Sequence, residues 1–284
     1  MTTVLSVQSA VAYGHVGNSA AVFPLQRLGV EVWPVNTVHF SNHTAYPSWR
    51  GPLMSAADVT DVVRGIGERG VLVRADALLC GYLGAPEVGQ AILDTARMIR
   101  EANPAAVFCA DPVMGDVDAG FYAAPGIPEF WRDRVVPVAD LLTPNLFELE
   151  FLTGRALTTL DDVVAAARAL RDLGPGVVLV TSVTTDDMPG DASRMVAVDG
   201  AGAWLVGTPH LDRVFTGSGD LTSAMFLAHW LPQRDVRAAL EATSSIVYSV
   251  LEATTAAGDS ELRLVAAQQD LVSPRFHFTA QPLG

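Results

Sequence analysis

The stretch Thr216 to Asp220 reads T-G-S-G-D and opens a long apolar run, Leu221 to Leu231, of helical character. A helix start leaves its first amide N–H groups without partners, and its dipole favours negative charge. Two glycines give the turn the freedom to wrap an anion. Asp220 stands at the rim of this cradle, where a carboxylate repels the anion unless it has another task. Taking a proton from an attacking hydroxyl is such a task. The same five residues also read as a Gly-rich turn whose Asp favours the first helical turn, and alone they support both readings equally.

Other polar residues fall where strands end. D-P-V-M-G-D, Asp111 to Asp116, puts one carboxylate at a strand end and another past a tight turn. Taken alone that pattern favours a turn begun by Asp-Pro; the alternative is a divalent ion or its bound waters beside phosphates. Asn145 with Glu148 three residues on forms a capping box, or places Glu148 to orient magnesium-bound water. His15, His39 and His43 fit no helical zinc pair and read as loop or sheet-surface residues, His43 lining a pocket. Tyr82, at a strand end, stacks on an aromatic ligand or packs on a helix.

The elements that must position these residues follow from pattern. Strands are expected at Thr3–Gln8, Val30–Val38, Ala77–Tyr82, Ala105–Ala110, Asp140–Thr143 and Val177–Thr181, alternating with helices at Ser19–Leu28, Ser55–Arg69, Pro86–Ala102, Asn145–Leu152 and Asp161–Leu173. Such alternation predicts a mostly parallel sheet with helices on both faces. A hairpin is expected from Arg194–Val198 and Ala203–Val206, and two helices, Gly219–Leu231 and Val236–Thr254, after it. Phe40 to Pro52 and Thr184 to Ser193 read as loops, the latter mobile. With no repeat or linker, residues 1–284 form one domain. Ligands of open α/β sheets sit beyond the strands' carboxyl ends, which is where Ser9, Asp111, Asn145, Glu148 and Thr181 cluster with the Gly-rich turn.

Composition narrows the partners. The charge is 18 − 31 = −13, and all 18 basic side chains are arginines, with no lysine anywhere. So acidic a chain argues against nucleic acid but leaves room for a small anion held by amides and a metal ion. Cys80 and Cys109 lie in apolar runs and read as buried thiols; Trp33, Trp204 and Trp230 read as core. Without a signal-peptide pattern or an unbroken apolar run of ~18 residues, the expectation is a soluble, cytoplasmic protein that does not engage membranes.

Several ordered motifs then carry a family resemblance. G-S-G-D at Gly217 to Asp220 resembles the signature of the ribokinase superfamily. S-V-Q-S-x-x-x-Y-G-H-V-G-N-S from Ser6 to Ser19, W-P-V-N-T-V at Trp33, F-S-N-H-T at Phe40 and G-Y-L-G at Gly81 are similar to pyridoxal kinases, as are D-P-V-M-G-D and P-N-x-x-E-L-E. The similarity runs over nearly the whole chain and is close to the bacterial PdxY-type salvage branch. It implies a ribokinase-like α/β fold with a small hairpin near the nucleotide site, and ATP-dependent phosphorylation of pyridoxal at its 5′-hydroxymethyl group. Asp220 would be the catalytic base, with the amides of Gly217, Ser218 and Gly219 as anion hole. Ser9, His43, Thr44, Ala45, Tyr82 and Asp220 would face the vitamin. Asp111, Thr143, Asn145, Glu148, Thr181 and Thr208-Pro209-His210-Leu211 would face ATP, with Mg²⁺ held by Asp111 and Glu148 through water. A monovalent cation requirement stays open, and a homodimer is implied.

The chain departs from its relatives at Thr181, where many carry a lysine that reaches ATP. Loss of that point charge weakens stabilisation of the transferring phosphate, and Arg213 or Arg194 would have to fold inward to replace it. Two alternatives follow: a kinase for another B6 vitamer or hydroxymethylpyrimidine, and a weakly active paralogue that binds B6.

Overall fold

A computed structural model describes residues 1–284. In chain order it comprises β1 (Thr3–Val11), α1 (Asn18–Arg27), β2 (Glu31–Phe40), α2 (Ala56–Glu68), β3 (Ala77–Cys80), α3 (Pro86–Ala102) and β4 (Val107–Ala110). A small hairpin of β5 (Gly115–Asp116) and β6 (Gly120–Phe121) precedes α4 (Ile127–Phe130), β7 (Leu141–Leu142), α5 (Leu146–Thr153), α6 (Leu160–Arg171) and β8 (Val177–Val180). Then come β9 (Ala192–Val198), β10 (Ala203–Pro209), α7 (Ser218–Gln233), α8 (Val236–Ala256) and β11 (Gln281–Leu283).

The main sheet has nine strands in the order β11-β10-β9-β8-β7-β4-β3-β1-β2. The six from β2 to β8 are parallel, and the last three run antiparallel. Every residue of β3, β4 and β8 is buried, as expected of strands covered on both faces. Successive side chains serve opposite cores. Leu78, Phe108 and Val178 pack with α2, α3, α5 and α6, whereas Leu79, Val107 and Leu179 pack with α1, α7 and α8. Cys80 and Cys109 are fully buried free thiols within these strands.

The local signals that fix helix starts work as expected. Ser55 caps α2 with Asp58 in a reciprocal capping box, and Asn145 caps α5 with Glu148 in the same way. The expected hairpin extends to Ala192–Val198 paired with Ala203–Pro209 and is built into the main sheet, with a C-terminal strand outside it. A helical segment from Ile127 through Val138 was not anticipated: W-R-D-R-V-V-P-V carries three consecutive charged residues and a proline, which hides the periodicity. Its Trp131 is fully buried. Trp230 is core as well, while Trp33 and Trp204 are partly buried at its margins. The segment after β2 is less irregular than its composition suggests. It returns along the β2 edge through bonds from the His39, Ser41 and Met54 amides to Pro52, Arg50 and Thr37. This covers part of an otherwise open sheet edge.

Candidate active site

All the pieces singled out at strand ends lie on one rim of the sheet, opposite the start of α7. Gly217 enters that helix with φ 86°, and a Cβ there would overlap the carbonyl oxygen of His15. Only glycine fits. The Ser218 hydroxyl and amide both turn back to the Phe215 carbonyl, at 2.8 and 3.2 Å. The amides of Gly217, Gly219 and Asp220 make no hydrogen bond within the protein, so these three are the open donors of the turn. Gly217→Ala is expected to lose at least ~10²-fold in kcat, the scale of removing one oxyanion donor, because the turn must move off His15. A kinetic assay with thermal unfolding alongside checks this; near-normal turnover would remove the turn from the chemistry.

Asp220 follows in the first turn of α7 and lies beside the Gly17 amide, which favours its charged form. Gly17 has φ 52° and leaves no room for a side chain beside Ser9. Burial of its carboxyl lifts the pKa of Asp220 to about 6, opposed by that amide. Close by, Asp111 at the end of β4 is 5 % exposed and accepts from Ser223 Oγ at 2.9 Å. Thr143 Oγ1 lies 2.7 Å from the same serine hydroxyl. Burial first, and the charge of Asp220 second, push Asp111 up to about 8. Glu148 is buried too, its two carboxylate oxygens held by the amides of Met114 (3.0 Å) and Asn145 (2.9 Å). Burial and the charge of Asp111 still hold it well above the usual carboxylate range. Glu148 is thus both the N3 partner of the capping box of α5 and a member of the acidic cluster.

Three carboxylates raised together, Asp111 and Glu148 buried and Asp220 partly covered, form a site short of positive charge. No basic side chain enters it: Arg213 donates to the Asp259 carbonyl at 2.6 Å, and Arg194 to the Ala192 carbonyl at 3.1 Å. Thr181, at the end of β8, is fixed through its amide to Pro144 at 2.9 Å. Asn145 Nδ2 donates to the Gly115 carbonyl at 2.8 Å and anchors the D-P-V-M-G-D turn. Asp116 is exposed and accepts from the Ala119 amide, so the second carboxylate of that motif shapes a turn. Thr208 is buried at the end of β10, Pro209 and His210 are exposed and Leu211 is partly covered. A cleft of about 580 Å³ runs beside Thr208 and Pro209 but contains none of the three carboxylates.

On the other side Ser9 is buried against Gly17. Tyr82 packs on Val11, Val38 and Phe40, and burial raises its phenol. His43 reaches Glu261, whereas Thr44 and Ala45 are exposed on the loop. Sequence reasoning passed over Gly17, Ser223, Glu261 and Tyr122, whose hydroxyl is raised by burial and by the charges of Glu148, Asp111, Asp116 and Asp220. Only Gly17, inside the quoted G-H-V-G-N-S, carried a signal.

A parallel sheet flanked on both faces, an open amide turn and a partly buried carboxylate at its rim define a small-molecule kinase of ribokinase-like fold. Residues 72–264 match the phosphomethylpyrimidine kinase family. The pyridoxal kinase PdxY of Rubrobacter xylanophilus is 56% identical over 97% of this chain and 95% of its own. That of Leifsonia xyli subsp. xyli is 52% identical over 99% of both chains. The structure is similar to pyridoxal kinase from Leishmania donovani in complex with ADP and ginkgotoxin, with a TM-score of 0.93 and 30% identity, covering 100% of each chain. The chain belongs to the pyridoxal kinase family.

Proposed function

We propose that this chain transfers the γ-phosphate of ATP to the 5′-hydroxymethyl group of pyridoxal, giving pyridoxal 5′-phosphate and ADP. The observation that carries this is the placement of Asp220, a carboxylate raised to about 6, beside the Gly17 amide and the open amides of the turn. A base with that pKa is ionised at neutral pH yet basic enough to accept the hydroxyl proton as the oxygen attacks phosphorus. The bond to the leaving ADP oxygen breaks as the new one forms, and the amides of Gly217 and Gly219 receive the phosphoryl oxygens. Such transfer is mostly positioning and charge neutralisation.

Magnesium fits the residues present. No group of three or more metal-ligating side chains is assembled, but Asp111 and Glu148 are buried carboxylates raised by burial and by neighbouring carboxylate charge. They would hold the ion with waters and phosphate oxygens as its remaining ligands. When bound, it supplies charge neutralisation to the phosphates. Ser9, Tyr82 and His43 would bind the vitamin; Thr143, Asn145, Thr181 and the Thr208–Leu211 segment would bind the nucleotide. Family membership supports a homodimer working in the cytoplasm, and no helix is long and apolar enough to cross a membrane.

Purified protein assayed with ATP and pyridoxal, with and without Mg²⁺, tests the reading. Turnover dependent on both is expected. A higher kcat/KM for hydroxymethylpyrimidine or another vitamer would reassign the substrate, and B6 binding without turnover would make the chain a binding protein. The position of Thr181 gives a second test. Thr181→Lys should raise kcat/KM for ATP about three- to tenfold by placing a point charge near the phosphates. An unchanged value would mean that the acidic site already has its full complement of charge from the metal.

A further inference from the structure

We infer that Glu261 is a positioning residue for the vitamin substrate, acting through His43 and the loop that carries it. Glu261 lies in the segment after α8, far in sequence from everything it touches. Its Oε1 accepts from Tyr46 Oη at 2.7 Å and from His43 Nε2 at 2.9 Å. Its Oε2 accepts from the His15 amide at 3.2 Å. The His43 and Glu261 side chains are only 11% and 12% exposed. One carboxylate therefore ties the loop after β2 to the loop after β1, and both to the C-terminal third of the chain.

The consequence for His43 is specific. A neutral imidazole that donates from Nε2 has a bare acceptor at Nδ1. In this structure His43 Nδ1 is buried and has no partner. A buried acceptor left unpaired is unfavourable, and its pairing by a ligand donor is correspondingly selective. The ring is further fixed by Tyr46, whose centroid lies 4.6 Å away. Tyr13 stands 6.1 Å from Tyr46 on the other side. Glu261 thus sets the tautomer and the orientation of His43 and leaves Nδ1 as the ring's unpaired acceptor. It also crowds Gly14, where a Cβ would overlap its carboxylate, so the contact with the loop after β1 is close-packed.

This inference rests on the pyridoxal kinase reading, and the experiment separates the two. Turnover of pyridoxal by the wild-type chain tests the reading; the variants test Glu261. Glu261→Ala should raise the KM for pyridoxal at least about tenfold while kcat and the KM for ATP change less than about threefold, the pattern of lost substrate binding. Imidazole ¹⁵N shifts should report His43 as the Nε2–H tautomer in the wild type and as a mixture in Glu261→Ala. The double variant Glu261→Ala/His43→Ala should be no worse than His43→Ala alone, since one acts through the other. If Glu261→Ala does not fold, Tyr46→Phe and Glu261→Gln carry the same test, each raising the pyridoxal KM selectively. An unchanged pyridoxal KM, equal increases for both substrates, or additive effects in the double variant would overturn the proposal.

Discussion

Asp220→Asn is expected to lower kcat by ~10³-fold, within the range of general-base contributions, while pyridoxal binding stays within a few-fold of the wild type. The amide keeps the shape and can still meet the Gly17 N–H, but it cannot accept the hydroxyl proton. The pH profile sharpens the expectation. With its pKa at about 6, Asp220 is ionised above that value and protonated below it. The wild-type kcat/KM should therefore fall about tenfold per unit as pH drops beneath 6, and the residual activity of Asp220→Asn should lack that limb. Steady-state kinetics from pH 5 to pH 8 would decide. A variant that kept both its rate and its acid limb would show that the proton goes elsewhere.

The second large effect has two opposite signs in one protein. Asp111→Asn is expected to remove nearly all Mg²⁺–ATP turnover and at the same time to stabilise the ligand-free chain above neutral pH. Asp111 holds its proton up to about pH 8 in the folded state, whereas an unfolded aspartate loses it near pH ~4. Between those values the folded state binds more protons than the unfolded one, so stability falls as pH rises through that window. The slope is at most ~1.4 kcal/mol per pH unit for one group. Glu148, also raised, adds to it with the same sign. Thermal unfolding of the ligand-free protein from pH 6 to pH 9 should show a falling Tm for the wild type and a flatter curve for Asp111→Asn. A variant less stable at pH 8.5 than its parent would mean that the carboxylate is not repelled in the empty site. The trade is the familiar one of a functional site held against stability.

Much of this site was legible in the sequence, and the reason is geometric. Asp111, Thr143 and Thr181 end buried parallel strands, and strands of this kind announce themselves by short aliphatic runs stopped by a polar or proline residue. The capping boxes at Ser55 and Asn145 were legible because both partners lie three residues apart. What was not legible acts through the backbone or across great separations. Gly17 was marked by the G-H-V-G-N-S motif, but its amide's place beside Asp220 is encoded by no residue type. Ser223 joins Asp111 and Thr143 from inside an apolar helix, where a lone serine reads as filler. Glu261 meets His43 across 218 residues, and nothing in the segment around it marks it out. The extra antiparallel edge was half seen: the hairpin had a turn signal at Asp199-Gly200, but β11 is three residues long with a proline in the middle.

The end of β8 has a chemical consequence of a different kind. Pyridoxal is an aldehyde, and primary amines condense with such carbonyls to imines, as lysines do in Schiff-base enzymes. With threonine at position 181 and no lysine elsewhere in the chain, this protein presents no side-chain amine on which such a molecule could be trapped. Arginine, the sole basic side chain, stays protonated and does not compete. The exchange of an ammonium for a hydroxyl at position 181 thus leaves no side chain, inside the site or out, that can hold pyridoxal as an imine.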